Sequence, residues 1–338
     1  MSSNNEFYDP MVKPGFQADN PRFFDRFMFN MHPNDAASPG IIMGLGHYPG
    51  RNVADGYAIV SLGEEQRNVR FSTELSGTNG DGVGPLSFAC LEPNKSWRLT
   101  LADTPIGLEF DVVWTARADY WLDVVKVENP GQEPTNFEHL VQSGRYTGTV
   151  SIDGVTQSVD GWYGQRDRSR GVRTMQGGQG LHIWFQAQFE DRSIGFLLVE
   201  GRDGGRMLLD GAVMPESGGL DYITDVKHDL VFSDLDLSSG VLEVVTESGE
   251  RYHIEADASA GGGFMAGAGY GGHHGKPKGV DHVETDRYPF DGSISQRTLD
   301  TSLTDRVTRF SWNGQTGYGI FEFALSRSSS YNYKPTGD

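Results

Sequence analysis

Two side chains in this sequence have neighbours that suit them to proton transfer. Asp160 opens the stretch "DGWYGQRDRSRGVR" (160–173), with Val159 before it and Gly161, Trp162 and Tyr163 after it. Apolar neighbours raise a carboxyl pKa, so Asp160 is a candidate acid, with Trp162 and Tyr163 as aromatic binding residues beside it. The plain alternative is an ordinary Asp-Gly turn. His182 lies in "LHIWFQAQF" (181–189), where strict alternation puts His182, Trp184, Gln186 and Gln188 on one face. That face reads either as a pocket wall, with His182 as a second acid and Trp184 and Gln186 as binding residues, or as a solvated face capped by a loop.

The arginines of 166–173 ask for a different role. Asp167 lies between Arg166 and Arg168, with Arg170 and Arg173 close by. Cationic neighbours depress a carboxyl pKa, which makes Asp167 a poor acid. In an extended segment Arg166, Arg168 and Arg170 share one face and Asp167 takes the other. The leading reading for Arg166, Asp167, Arg168 and Arg173 is an ion-paired brace that locks two domains.

Other motifs are weaker. "GLGHYPG" (44–50) sets His47 and Tyr48 between glycines, as a pocket rim or a strand end. Gly267, Gly269 and Gly272 match a dinucleotide fingerprint by count, but no helix can open at "GHHGKPKGV", so the match is rejected. His273, His274 and His282 offer imidazoles to a metal, yet adjacent histidines on a glycine loop are more often solvated, and no metal or other cofactor is expected. No Gly-x-Ser-x-Gly elbow occurs. Carboxylates suited to glycoside hydrolysis are plentiful, but no motif selects a pair.

The elements that must position these groups are strands. "LEFDVVW" puts Leu108, Phe110, Val112 and Trp114 on one face, and "YTGTVSIDGV" alternates into an Asp153-Gly154 hairpin turn. "GVLEVVTESGERYHIEA" reads as another hairpin and "YGIFEFALS" as a closing strand. No convincing helix is longer than about three turns, so the fold class is all-β and antiparallel, a barrel or sandwich. "NPRFFDRFMFNMHP" reads as a short helix or an extended arm pinned by its phenylalanines. "VENPGQEPTN" (127–136) is the linker candidate, giving domains of 1–135 and 136–338. The glycine-rich 259–279 segment reads as a lid or a mobile loop.

Composition narrows the partners. The chain has 338 residues, 46 acidic against 28 basic, and a net charge of −18. A field of that sign disfavours nucleic acid and anionic membranes, but not a neutral greasy molecule. Cys90 is the single cysteine, which excludes an intramolecular disulfide and fits a cytoplasmic setting. No signal peptide or membrane span is read from the sequence. Oligomeric state is not legible.

The segment "HLVQSGRYTGTVSIDGVTQSVDGWYGQRDRSRGVR" resembles the hydroxyneurosporene synthase (carotenoid 1,2-hydratase)/AttH-like group, as do "GPLSFACLEPNKSWRLTL" (84–101) and Gln142-Ser143-Gly144. Arg170 stands where the group's signature has tryptophan. The resemblance implies two lipocalin-like (calycin-type) β domains around an apolar cavity. It also implies isoprenoid-like ligands and hydration or cyclisation of alkenes. The expectation is therefore a cofactor-independent hydratase or cyclase acting on a lipophilic molecule. A non-catalytic carrier of such a molecule and a carbohydrate-active β-sandwich are its rivals.

Overall fold

The computed structural model describes residues 11–36, 38–128, 133–173, 179–259 and 262–337. Its regular structure is strand throughout the described residues, apart from two single-turn 3₁₀ segments. The first sheet takes β1 (Phe23–Met31), β2 (Gly40–Tyr48), β3 (Val53–Ser61), β4 (Glu65–Glu74), β5 (Gly82–Val83) and β6 (Leu86–Glu92). It continues with β7 (Ser96–Leu101), β8 (Leu108–Ala116), β9 (Trp121–Val127), β10 (Thr135–Ile152), β11 (Val155–Ser158) and β12 (Tyr163–Val172). The second takes β13 (Gln179–Gln188), β14 (Arg192–Gly201), β15 (Arg206–Pro215), β16 (Asp221–Ser233), β17 (Asp236–Thr246) and β18 (Arg251–Asp257). It ends with β19 (Gly262–Phe264), β21 (Thr304–Trp312) and β22 (Gln315–Leu325), while β20 (His282–Pro289), between β19 and β21 in the chain, belongs to the first sheet.

The second sheet closes on itself where β18 pairs with β21, giving an eight-stranded antiparallel barrel. The first curls into an open half-barrel in the order β20-β4-β3-β2-β1-β12-β10-β8-β7-β6-β5. This is the all-β, lipocalin-type architecture that the alternating patterns predict. Asp153 and Gly154 both adopt positive φ, as a two-residue primed turn requires. Leu108, Phe110, Val112 and Trp114 fill the half-barrel, and Leu181, Ile183, Phe185, Ala187 and Phe189 fill the barrel.

Several sequence expectations come out differently. The phenylalanine-rich 20–33 stretch is neither helix nor arm: β1 lies in mid-sheet between β2 and β12. Its period-two pattern, with Phe27 and Phe29 inward, dominates. The sheets divide between Val172 and Gln179 rather than near residue 135, because β10 and β12 pair with β8 and β1. The Pro-containing 127–136 stretch joins β9 to β10, and its residues 129–132 lie outside the described residues.

The glycine-rich segment does not hang free. Residues 260–261 lie outside the described residues, and the rest is bonded to the first sheet. Gln66 Nε2 donates to the Phe264 carbonyl at 2.9 Å, Arg70 to the Gly267 carbonyl at 2.9 Å, and the Gly275 N–H to Asp55 Oδ2 at 2.7 Å. β20 then adds to the edge of β4 over eight residues. The stretch from β19 to β20 thus ties the barrel's chain to the half-barrel.

A third apolar cluster lies between the two bodies. It includes Phe24, Ile42, Ile59, Val141, Leu197 and Ile320. Outward faces of β1–β3, β9 and β10 meet outward faces of β13–β15, β21 and β22 there. The same seam holds the cavity.

Candidate active site in the seam

β12 sorts its charged residues by strand alternation. Arg166 and Arg168 point into the half-barrel and Asp167 points out into the seam. Arg168 forms a two-pronged ion pair with Asp25 at 2.9 and 3.0 Å, both side chains fully buried. Arg166 has amide partners, donating to Gln142 Oε1 at 3.1 Å and Asn94 Oδ1 at 3.0 Å, above Trp114. Burial, with Arg168 adding, pushes its pKa down to about 9. The partners described for both arginines all belong to the half-barrel, so in place of the expected brace between domains they form an internal strut of the first sheet. Contacts across the seam come from elsewhere: Arg117 lies 3.1 Å from Glu216, and Arg145 pairs with the same carboxylate.

The seam cavity has a volume of about 650 Å³. Its half-barrel wall carries Arg26, Tyr57, Phe137, His139, Asp167 and Arg173. Its barrel wall carries His182, Trp184, Leu197, Val199 and Glu322, with Tyr270 and Leu303 between the two. Apolar and aromatic surface thus surrounds a few convergent polar groups, the usual make-up of a small-molecule site.

Two His–carboxylate pairs face each other across this space. His139 Nε2 lies 2.7 Å from Asp167 Oδ2. The β10–β12 register sets His139 opposite Ser169 and Val141 opposite Asp167, which leaves the two side chains as diagonal neighbours on one face. Burial alone would lower the His139 pKa, but the Asp167 charge and hydrogen bond more than offset it, and the net shift is upward. The second pair is His182 Nε2 with Glu322 Oε1 at 2.9 Å. Behind it, Asp305 stands directly opposite Glu322 on β21. Like charges at that spacing disfavour each other. Burial and the Glu322 charge hold the Asp305 pKa well above the usual carboxyl range, so Asp305 keeps its proton.

The His139 pairing is directly measurable. Its imidazole is expected to titrate above 6.5, the ordinary histidine value, by NMR of the ring proton. In Asp167→Asn the burial cost remains and the attraction goes, so the titration falls below 6.5. Because the folded-state pKa is raised, the pair stabilises the fold fully below about pH 6.5, and this contribution fades as pH climbs through the folded value. An unchanged titration in Asp167→Asn would refute the coupling.

Of the other residues singled out in the sequence, only some reach the cavity. His182 and Trp184 line it, as do Asp167 and Arg173, which were read as brace members. Gln186 is buried beside Trp121 and Gly195 without lining it. Asp160 is exposed in the turn after β11, where its Oδ1 accepts from the Gly148 N–H at 3.0 Å. It is an Asp-Gly turn outside the cavity, and the notion that Trp162 and Tyr163 shelter it in a pocket fails with it. Trp162 packs at the edge of the half-barrel core, and Tyr163 lies under the Arg117 guanidinium at 4.5 Å. His47 is tied to the Val12 carbonyl at 2.8 Å, and Tyr48 packs against Gly275, both away from the cavity. Arg170 covers the Phe16 ring at 5.9 Å.

His139, Glu322, Arg26, Tyr57 and Tyr270 were not singled out. Glu322 had a visible signal, a lone carboxylate inside the apolar "YGIFEFALS". His139 sat in the quoted family segment, on the strand that pairs with the arginines' strand.

Among the described residues no group of three or more His, Cys, Asp or Glu is placed to hold a metal. His273 instead meets the Phe71 carbonyl at 3.3 Å, and His282 meets Glu284 at 3.4 Å. No helix is long and apolar enough to cross a membrane.

The fold has solved counterparts. A "putative AttH" from Nitrosomonas europaea superposes with a TM-score of 0.60 at 12% identity, over 94% of this chain and 99% of that one. Kievitone hydratase from Nectria haematococca superposes with a TM-score of 0.53 at 10% identity, over 94% of each chain. These likenesses establish the AttH-type, lipocalin-like fold. No curated protein sequence matches the chain. A family model described as "Family of unknown function (DUF8625)" matches residues 10–333.

Proposed function

The chain belongs to this family of unknown function, DUF8625, and from that premise we propose that the seam cavity is the active site of a hydratase-type enzyme. Its substrate is a lipophilic, alkene-bearing small molecule, isoprenoid-like in the narrower form of the reading. The observation that carries it is the pair of His–carboxylate couples on opposite walls of one largely apolar cavity.

Alkene hydration needs a proton donor, a surface that tolerates a carbocation, and a base for the attacking water. In this reading the His139 imidazolium, kept charged by Asp167, gives its proton to one alkene carbon. The cation at the other carbon meets the ring faces of Trp184, Phe137 and Tyr270. Water adds there and loses its proton to His182, whose imidazolium Glu322 supports. Water is thus added across the double bond, and proton return from His182 to His139 through solvent closes the cycle. The chain's own side chains carry each step. The kievitone hydratase likeness lends the reaction class a precedent on this fold.

Native mass spectrometry of purified protein, looking for a co-purified ligand, is the first experiment. Incubation of that ligand in ¹⁸O-labelled water then follows the reaction. Incorporation of one labelled oxygen supports hydration. A bound ligand that never exchanges label would favour the carrier reading and refute the enzyme.

A further inference from the structure

Four of the five buried arginines among the described residues come with an anion. Arg168 has Asp25, Arg70 has Glu284 and Asp286, Arg67 has Glu65 and Asp153, and Arg306 has Asp236. The fifth, Arg166, is satisfied by amide oxygens inside the half-barrel, and the half-buried Arg26 and Arg173 have no such anion either. Both line the seam cavity, and among the described residues neither has a carboxylate within ion-pair distance.

Their surroundings hold them in place without a direct ion pair, although buried Asp55, 3.6 Å from His274 Nδ1, favours the Arg26 charge from behind that ring. The Arg26 guanidinium donates to His274 Nε2 at 3.2 Å and lies over the Tyr270 ring at 5.3 Å. Burial and the adjacent Arg26 charge push His274 down to about 4, so that imidazole is neutral and accepts. Arg173 is stacked on Phe137 at 4.2 Å and Phe24 at 5.5 Å, which fixes its plane, and among the described residues no hydrogen-bond acceptor engages its N–H groups. Burial disfavours its charge, and Arg26 disfavours it further. In a chain with 18 more acidic than basic residues, a carboxylate partner for either was readily available. The charges of Asp167 and Glu322 are already committed to His139 and His182.

We propose that Arg26 and Arg173 form an anion subsite that receives a carboxylate-type oxyanion of the ligand, with the ligand's apolar body lying along Trp184, Leu197 and Val199. The subsite deepens the proposed function, since it rests on the cavity taking a lipophilic molecule, and it makes that molecule an amphiphile. A planar guanidinium matches two carboxylate oxygens in one plane, and two such groups charge-balance best against one or two negative charges. An anion there would anchor one end of the substrate and set which double bond reaches His139.

The test compares three single-chain probes on the full protein by isothermal titration calorimetry: laurate, dodecanol and dodecyltrimethylammonium, each below its micelle concentration. Laurate is expected to bind at least about tenfold more tightly than dodecanol, the discrimination that one charge-assisted hydrogen bond provides, and the ammonium probe least well. Arg173→Gln and Arg26→Gln are expected to bring the laurate-to-dodecanol ratio to about one, while Arg173→Lys keeps a clear preference for laurate. The wild-type comparison stands even if a variant does not fold. Equal binding of laurate and dodecanol, tighter binding of the ammonium probe, or an unchanged ratio in both Gln variants would each overturn the subsite while leaving the lipophilic cavity intact. Uptake of none of the three would overturn the cavity reading itself, and the subsite with it.

Discussion

Replacing Asp25 by alanine is expected to cost about 3–5 kcal/mol of folding free energy, because it strands the Arg168 charge inside the half-barrel. The pair is two-pronged and wholly buried, and Asp25 Oδ2 also accepts from the Val12 N–H at 2.9 Å. Replacing both partners, Asp25→Leu with Arg168→Met, is expected to recover most of that loss, since no charge is left unpaired. Burial alone would raise the Asp25 pKa, but Arg168 reverses this and the net shift is downward. A depressed carboxyl contributes stability above its unfolded value near 3.9, and that contribution is lost as pH falls through the lower folded value. Urea denaturation at pH 7 and near pH 3 reads both effects. A loss under about 1 kcal/mol for Asp25→Ala, or a double variant no better than the single, would show that the strut carries little stability.

The second large effect concerns turnover. His139→Gln and His182→Ala are each expected to lower ¹⁸O incorporation by about 10²–10⁴-fold, the range for removing a general acid or base. Glu322→Gln, which leaves His182 without its carboxylate, is expected to act in the same direction. Asp160→Asn, at the exposed turn after β11, is expected to leave the rate unchanged. Wild-type rates in both histidine variants would remove the proposed chemistry from the seam. A slow Asp160→Asn would move it to the other side of the half-barrel.

Alternation made the strands legible. It placed Trp114 and Phe185 in cores, and it put Arg166 and Arg168 opposite Asp167 on β12. It also put His182 and Trp184 on a face of their own. What alternation cannot supply is the neighbour across a seam. His139 and Glu322 lie 183 positions apart and line one cavity only because two sheets pack outer face to outer face. The brace reading of 166–173 failed in location rather than in chemistry, since Arg168 does hold a carboxylate, but one on β1 of the same sheet. Asp160 was favoured for its apolar neighbours in sequence. Those neighbours turn toward the half-barrel core while the carboxylate caps a surface turn. The glycine-rich segment gave no sign of its partners because turn residues bond through backbone groups, which are the same in every sequence.

The strand that β20 adds to β4 has a consequence for synthesis. Residue 289 follows residue 74 by 215 positions. At roughly 5–20 residues per second, about 10–40 s pass between emergence of the half-barrel's β4 and arrival of the strand that covers it. During that interval β4 is an open edge, with a row of free N–H and C=O groups available to any other nascent chain. The half-barrel is therefore born incomplete, and its last strand is delivered by the domain that follows it off the ribosome.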